Sequence, residues 1–246
     1  MTDPCYLFEP WLFREPPSGG VQREREKAET REGGKPTRSR EEDVQVEPFE
    51  VHTGRAVVLR RAHIDTDQLA PKRFLRRITR TGYDDALFAD WRTKPDGTLD
   101  ETFPLNRKER EGASILLAGP DFGCGSSREH AVWALQDSGF RVVLAPSFGD
   151  IFRQNCVQCG LLAAAVAPAE LARWMDFVEA HPGETITVDL RAQSLSSSSL
   201  GETPFEIPPA YRERLLRGLD EIGITLESES RIRAFEEEKE RASLRS

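Results

Sequence analysis

The sequence predicts an α/β domain built on a parallel sheet. Apolar runs with the length and composition of buried strands recur at 114–118, 141–145 and 161–166. Between them lie two segments of helical character. Ala131, Val132, Ala134 and Leu135 recur at helical spacing in the first, and the second runs through Gln158. Each meets a glycine at its end, Gly139 or Gly160, as helix C-termini commonly do. Strand, helix, strand, helix, strand at this spacing pairs the strands in parallel through right-handed crossovers.

The remaining elements follow in chain order. Residues 14–47 are rich in Arg, Glu, Lys, Gly and Pro and nearly devoid of apolar side chains. Such a segment buries too little surface to offset its ordering entropy, so 1–47 reads as a disordered N-terminal extension. It carries an aromatic cluster, Tyr6, Phe8, Trp11 and Phe13, which reads either as an anchor of the kind that docks on partners or as the product of an upstream start choice. Residues 49–52 and 55–59 read as two short strands around a turn at Gly54. The stretch from His63 to Leu75 opens as a strand-to-loop corner, since Asp and Thr turn and cap the backbone readily. Residues 81–92 read as a short helix, and Pro95-Asp96-Gly97 marks a turn. Ser147 and Asp150 give the second crossover helix a cap-like opening. Pro168 to Ala180 is an amphipathic helix ended by His181-Pro182-Gly183. Residues 185–190 alternate as a half-exposed strand does, 194–199 form a flexible serine-rich loop, and 208–219 and 228–241 read as closing helices. The folded domain is thus expected over 48–240, with a short tail at 241–246.

Composition narrows the function classes. With 246 residues, 31% charged and a net charge of −8, the chain is acidic, which argues against nucleic acid or an anionic membrane as partner. No apolar stretch approaches the ~20 residues of a membrane helix. The N-terminus lacks the basic and apolar regions of a secretory signal. Four cysteines, Cys5, Cys124, Cys156 and Cys159, are too few and too unevenly placed for a disulfide framework. These features point to a cytoplasmic protein.

The chemistry concentrates in Gly119-Pro120-Asp121-Phe122-Gly123-Cys124-Gly125-Ser126-Ser127-Arg128-Glu129-His130, between the strand at 114–118 and the helix after it. Ser126 and Glu129 have the spacing of a capping box, which puts Ser126 at the N-cap and Ser127 and Arg128 in the first turn. Gly123 and Gly125 let the backbone approach a ligand. Free N–H groups, the positive end of the helix dipole and a guanidinium form a site for a carboxylate. The pattern is neither a phosphate-binding Gly-Lys-Ser/Thr loop, nor a dinucleotide fingerprint, nor a hydrolase Gly-x-Ser-x-Gly elbow. Residue chemistry alone reaches an anion site with a serine beside it. A Ser-His-acid triad is disfavoured, and His130 reads as a structural hydrogen-bonding residue.

Asp121-Phe122-Gly123-Cys124-Gly125-Ser126-Ser127-Arg128-Glu129-His130 resembles the signature of the aconitase superfamily's swivelling domain. Asp65-Thr66-Asp67 followed by Pro71-Lys72-Arg73-Phe74-Leu75, and the stretch from Arg80 to Phe88, resemble the small subunits of 3-isopropylmalate dehydratase, an enzyme of leucine biosynthesis. The likeness extends over about 48–240. It implies a three-layer β/β/α swivelling fold and a hydro-lyase that interconverts 2- and 3-isopropylmalate. The implied partner is a large subunit whose [4Fe–4S] cluster binds the leaving hydroxyl of a small hydroxy-dicarboxylic acid. A sister reading keeps the mechanism and changes the acid: homoaconitate, citraconate/2-methylmalate or dimethylmalate. A third is a non-catalytic anion-binding protein of the same fold.

Such a reaction needs a base, a carboxylate clamp and a Lewis acid on the leaving oxygen. On the resemblance, Ser126 is the base and Asp67 orients a catalytic group. Ser127, Arg128, Asp65, Thr66 and Arg73 contact substrate, with Arg76 and Arg77 as further candidates. No metal is expected on this chain. Cys156 and Cys159 lack the second pair or histidines of a zinc site, stand at a helix C-terminus where a thiol is not activated, and match no ferredoxin spacing.

Overall fold

The computed structural model describes residues 46–219, 223, 225 and 228–243. The expectation for the N-terminal extension therefore lies, over residues 1–45, outside the described residues.

Seven strands hydrogen-bond in one mixed sheet, in the order β4-β3-β2-β1-β5-β6-β7. Strand β1 is Val51–Leu59, a single nine-residue strand rather than two strands around Gly54. Its first half pairs antiparallel with β5 (Thr185–Asp189), and its second half pairs parallel with β2 (Ile115–Ala118). Partners on both sides keep the backbone extended through Gly54, which a local reading of that glycine misses. Strands β3 (Val142–Ala145) and β4 (Leu162–Ala165) continue the parallel half, as the alternation of apolar segments predicts.

The parallel strands are buried on both faces, so their residues alternate between two cores. Val57, Leu59, Leu116 and Val143 face the first, which is closed by Ala131, Val132 and Leu135 of α3 (Glu129–Asp137) and Phe152 and Cys156 of α4 (Asp150–Cys159). Ala56, Val58, Leu117 and Leu144 face the second. That core is closed by α5 (Pro168–Ala180), by α6 (Pro209–Arg217) through Leu215, and by Ile186, Val188 and Leu195 of the antiparallel strands. Helices α3 and α4 thus cover one face of the parallel half, and α5 and α6 cover the other together with the antiparallel strands, a mixed sheet with helices.

Several elements depart from the sequence expectations. The serine-rich stretch is not a loop: β6 (Ser194–Ser197) and β7 (Gly201–Pro204) form an antiparallel hairpin on β5. Trp174 of α5, fully buried, donates through Nε1 to Thr203 Oγ1 at 2.9 Å and ties the hairpin to the core. The helix expected over 81–92 shrinks to α2, Ala89–Arg92, entered through Phe88 in a left-handed conformation. Ahead of it lies one more short helix, α1 (Thr66–Leu69). Helix α4 opens after Gly149 instead of being capped by Ser147. The last helix, α7, spans Glu229–Ser243 and is exposed along its described side chains. Among the described residues no helix is long and apolar enough to cross a membrane.

Candidate active site

All four parallel strands end on the same side of the sheet, where ligands of such sheets bind. The segments leaving β1, β2 and β3 stay zipped together beyond the strand ends. Gly119 and Gly123 donate to Arg61 and Ile64 on one side, and Phe122 exchanges bonds with Ser147 and Gly149 on the other. Two glycines make this fit possible. Gly123 has φ +71° and a side chain there would overlap the Phe152 ring; Gly149 lies directly against the Gly123 carbonyl. A further network joins the three ends: His63 Nδ1 lies 3.0 Å from Asp121 Oδ2, and Ser147 Oγ donates to Asp121 Oδ1 at 2.8 Å. Both His63 and Asp121 have left-handed backbones. The sequence reading missed this trio, because nothing local marks three residues drawn from three loops.

The serine motif sits on this platform. Helix α3 begins at Glu129 with Arg128 as N-cap in extended conformation (φ −147°, ψ 110°), and the N-cap side chain makes no capping bond. The expectation that Ser126 caps the helix and that Ser127 and Arg128 lie in its first turn is thus corrected. Gly125, at φ +90°, and the bond from Thr66 to the Ser126 carbonyl place the serines in a bend ahead of the helix. Ser126 and Ser127 are exposed, three and two residues ahead of the helix. Both lie ahead of the positive end of α3 instead of closing its first turn.

Arg128 is paired with Asp67. Its Nη1 and Nη2 meet the two carboxylate oxygens, the second at 3.0 Å, and its side chain is only 10% exposed. Lys72 adds positive charge 3.9 Å from Asp67 Oδ2. The Asp67 carboxylate thus holds both ends of the guanidinium fork. Thr66 is buried, and its Oγ1 donates to the Ser126 carbonyl at 2.8 Å. Asp65 caps α1 in a reciprocal box with Gln68. Arg73 pairs with Asp90 at 2.6 Å and lies over the Phe74 ring. Arg77 grips Asp85 with two bonds of 2.6 Å, while Arg76 is exposed. The fold thus joins Ser126, Thr66, Asp67 and Arg128, and directs Asp65 and Arg73 to other partners.

His130 packs its ring against Trp133 (centroids 4.6 Å apart) and Tyr83 (5.4 Å); burial, helped by Arg128, pulls its pKa below the ordinary value. Burial, with Asp65 nearby, pushes the Cys124 thiol up. Burial likewise raises Cys156 and takes Cys159 to about 11. Both lie at the end of α4 that the spacing predicted, and neither is a thiolate at neutral pH. Among the described residues no group of three or more His, Cys, Asp or Glu side chains is placed to hold a metal ion. An iron–sulfur cluster does not fit the donors among the described residues.

Residues 46–169 match the model of the aconitase C-terminal domain, and 172–209 match a model named LeuD_N. The 3-isopropylmalate dehydratase small subunit of Shouchella clausii is 51% identical over 191 residues, 78% of this chain and 96% of that protein. The chain belongs to the 3-isopropylmalate dehydratase small-subunit family. The family's small subunit from Acidothermus cellulolyticus is likewise 51% identical over 78% of this chain and 93% of its own length. Among solved structures, a 3-isopropylmalate dehydratase chain from Methanocaldococcus jannaschii superposes with a TM-score of 0.54 at 26% identity. That match covers 76% of this chain and 99% of the other.

Proposed function

We propose that the chain is the small subunit of a 3-isopropylmalate dehydratase, a hydro-lyase that isomerises 2- and 3-isopropylmalate by dehydration and rehydration in leucine biosynthesis. It acts in the cytoplasm, in complex with a large subunit. The observation that carries this reading is the exposed Ser126 two residues from an arginine held in place by Asp67.

The reaction removes a weakly acidic proton beside a carboxylate. Ser126 Oγ takes that proton, its alkoxide form favoured by the start of α3 and by the positive charge of Arg128 and Lys72. Arg128 has five N–H groups, and the pair with Asp67 engages two. The remaining donors meet a substrate carboxylate, joined by the backbone N–H of Ser127. A [4Fe–4S] cluster on the large subunit supplies the Lewis acid for the leaving hydroxyl.

The test is co-expression with a large subunit and an anaerobic assay of 2- and 3-isopropylmalate interconversion. Ser126→Ala is expected to lower kcat by roughly 10²–10⁴-fold while KM stays near the parent value. Near-normal turnover of that variant removes Ser126 from its role.

A further inference from the structure

We infer that Thr66 is a positioning residue for Ser126, acting through the backbone of the serine loop and not as a ligand of the substrate. This rests on the reading of Ser126 as the base and deepens it.

Thr66 is 2% exposed, so its hydroxyl is closed to a substrate that arrives from solvent. The hydroxyl donates its one proton to the Ser126 carbonyl at 2.8 Å. The backbone around it forms a short parallel splice. Gly123 donates to Ile64 at 2.7 Å, Thr66 donates to Cys124 at 3.1 Å, and Asp65 and Cys124 bridge in parallel. The splice ends at Cys124, and Gly125 then swings to φ +90°. From Gly125 to Ser127 the chain is exposed, and helix α3 starts only at Glu129. Among the described residues, the Thr66 bond is the one hydrogen bond from another element that reaches residues 125–127. A glycine at left-handed φ is the most permissive hinge a chain has. The peptide that carries Ser126 is therefore anchored on its far side by a single buried hydroxyl. Removing the hydroxyl leaves the splice and the packing in place and frees the carbonyl to rotate. The Ser126 side chain then loses its aim at the carbon-bound proton, and a misplacement of about 1 Å costs up to ~10²-fold in rate.

The test compares Thr66→Val, which keeps the shape and removes the donor, with Thr66→Ser, which keeps the donor. Both are assayed in the complex with the large subunit on 3-isopropylmalate, with Ser126→Ala alongside. The inference expects Thr66→Val to lower kcat by roughly 10- to 100-fold at nearly unchanged KM, and Thr66→Ser to restore most of the loss. A substrate ligand at this position would instead raise KM. A merely structural residue would lower the melting temperature and leave kcat intact at a temperature where the variant is folded. Either result overturns the inference, as does a Thr66→Val defect that Thr66→Ser fails to repair. If Thr66→Val does not assemble, Thr66→Ala, which also removes the donor, takes its place and is read by the same criteria. Ser126→Ala separates the two levels. Full activity there defeats the reading of Ser126, whereas its collapse beside an undisturbed Thr66→Val defeats only the role of Thr66.

Discussion

At the residue scale the decisive contact is the grip of Asp67 on Arg128. An arginine side chain only 10% exposed is an awkward charge without a counter-ion, and Asp67 meets it with both oxygens. Because Asp67 is itself 41% exposed, solvent screening reduces the value of the pair to about 1 kcal/mol. Asp67→Asn is therefore expected to raise KM for 3-isopropylmalate about fivefold, with Asp67→Glu closer to the parent. Steady-state kinetics of the two variants check this, and an unchanged KM in Asp67→Asn would free Arg128 from its dependence on Asp67. Ser126 and Arg128 were legible in the sequence because a crowd of hydroxyls and a guanidinium at a helix start is a local pattern. Their roles relative to Asp67 and Thr66 were not, since those partners lie 61 and 60 residues away.

At the scale of elements, the platform depends on segments packed more closely than a side chain allows. A Cβ at Gly123 would stand 2.1 Å from the Phe152 ring, on a residue already at φ +71°. Gly123→Ala combines left-handed strain with overpacking, each of order 1–3 kcal/mol, for an expected loss of about 3 kcal/mol. Denaturant unfolding of the variant measures this directly; a stability equal to the parent's would show that Phe152 yields freely. The same contacts explain why helix α3 starts late. Pairing with the 64–66 segment fixes the chain as far as Cys124 and Thr66 holds the Ser126 carbonyl beyond it, a bond that a helical first turn at Ser126 would break. The local capping pattern of Ser126 and Glu129 loses to that tertiary bond. The β6–β7 hairpin has a similar origin. A serine run has little strand preference of its own, but Thr203 receives the indole N–H of a buried Trp174 and Leu195 fills the second core.

For the whole molecule, two histidines set how stability responds to acid. His52 bonds Ser114 Oγ at 2.8 Å between the first two strands, and burial, then Arg141, lowers its pKa. His130 is lowered mainly by burial between rings. Both take up a proton less readily in the fold than in the unfolded chain, where they charge below their ordinary pKa of about 6.5. The unfolded state thus binds more protons as pH falls through that value, and stability falls with it. Melting temperature is expected to decline from about pH 7 to pH 5.5, before Asp85, held low by Arg77, begins to contribute. His52→Gln, which retains a partner for Ser114, is expected to flatten the decline; an equal slope in parent and variant would assign the effect elsewhere. The sequence by itself determined the alternation of strands and helices in the parallel half, the span of α5 and the gathering of two serines and an arginine just ahead of α3. Apolar periodicity and side-chain chemistry are properties of neighbours along the chain. Only the tertiary structure decided that 51–59 is one strand, that the serine stretch pairs as a hairpin, and that Ser126 stands ahead of its helix instead of capping it. Each of these follows from hydrogen bonds between distant segments, whose energies exceed the weak local preferences they override.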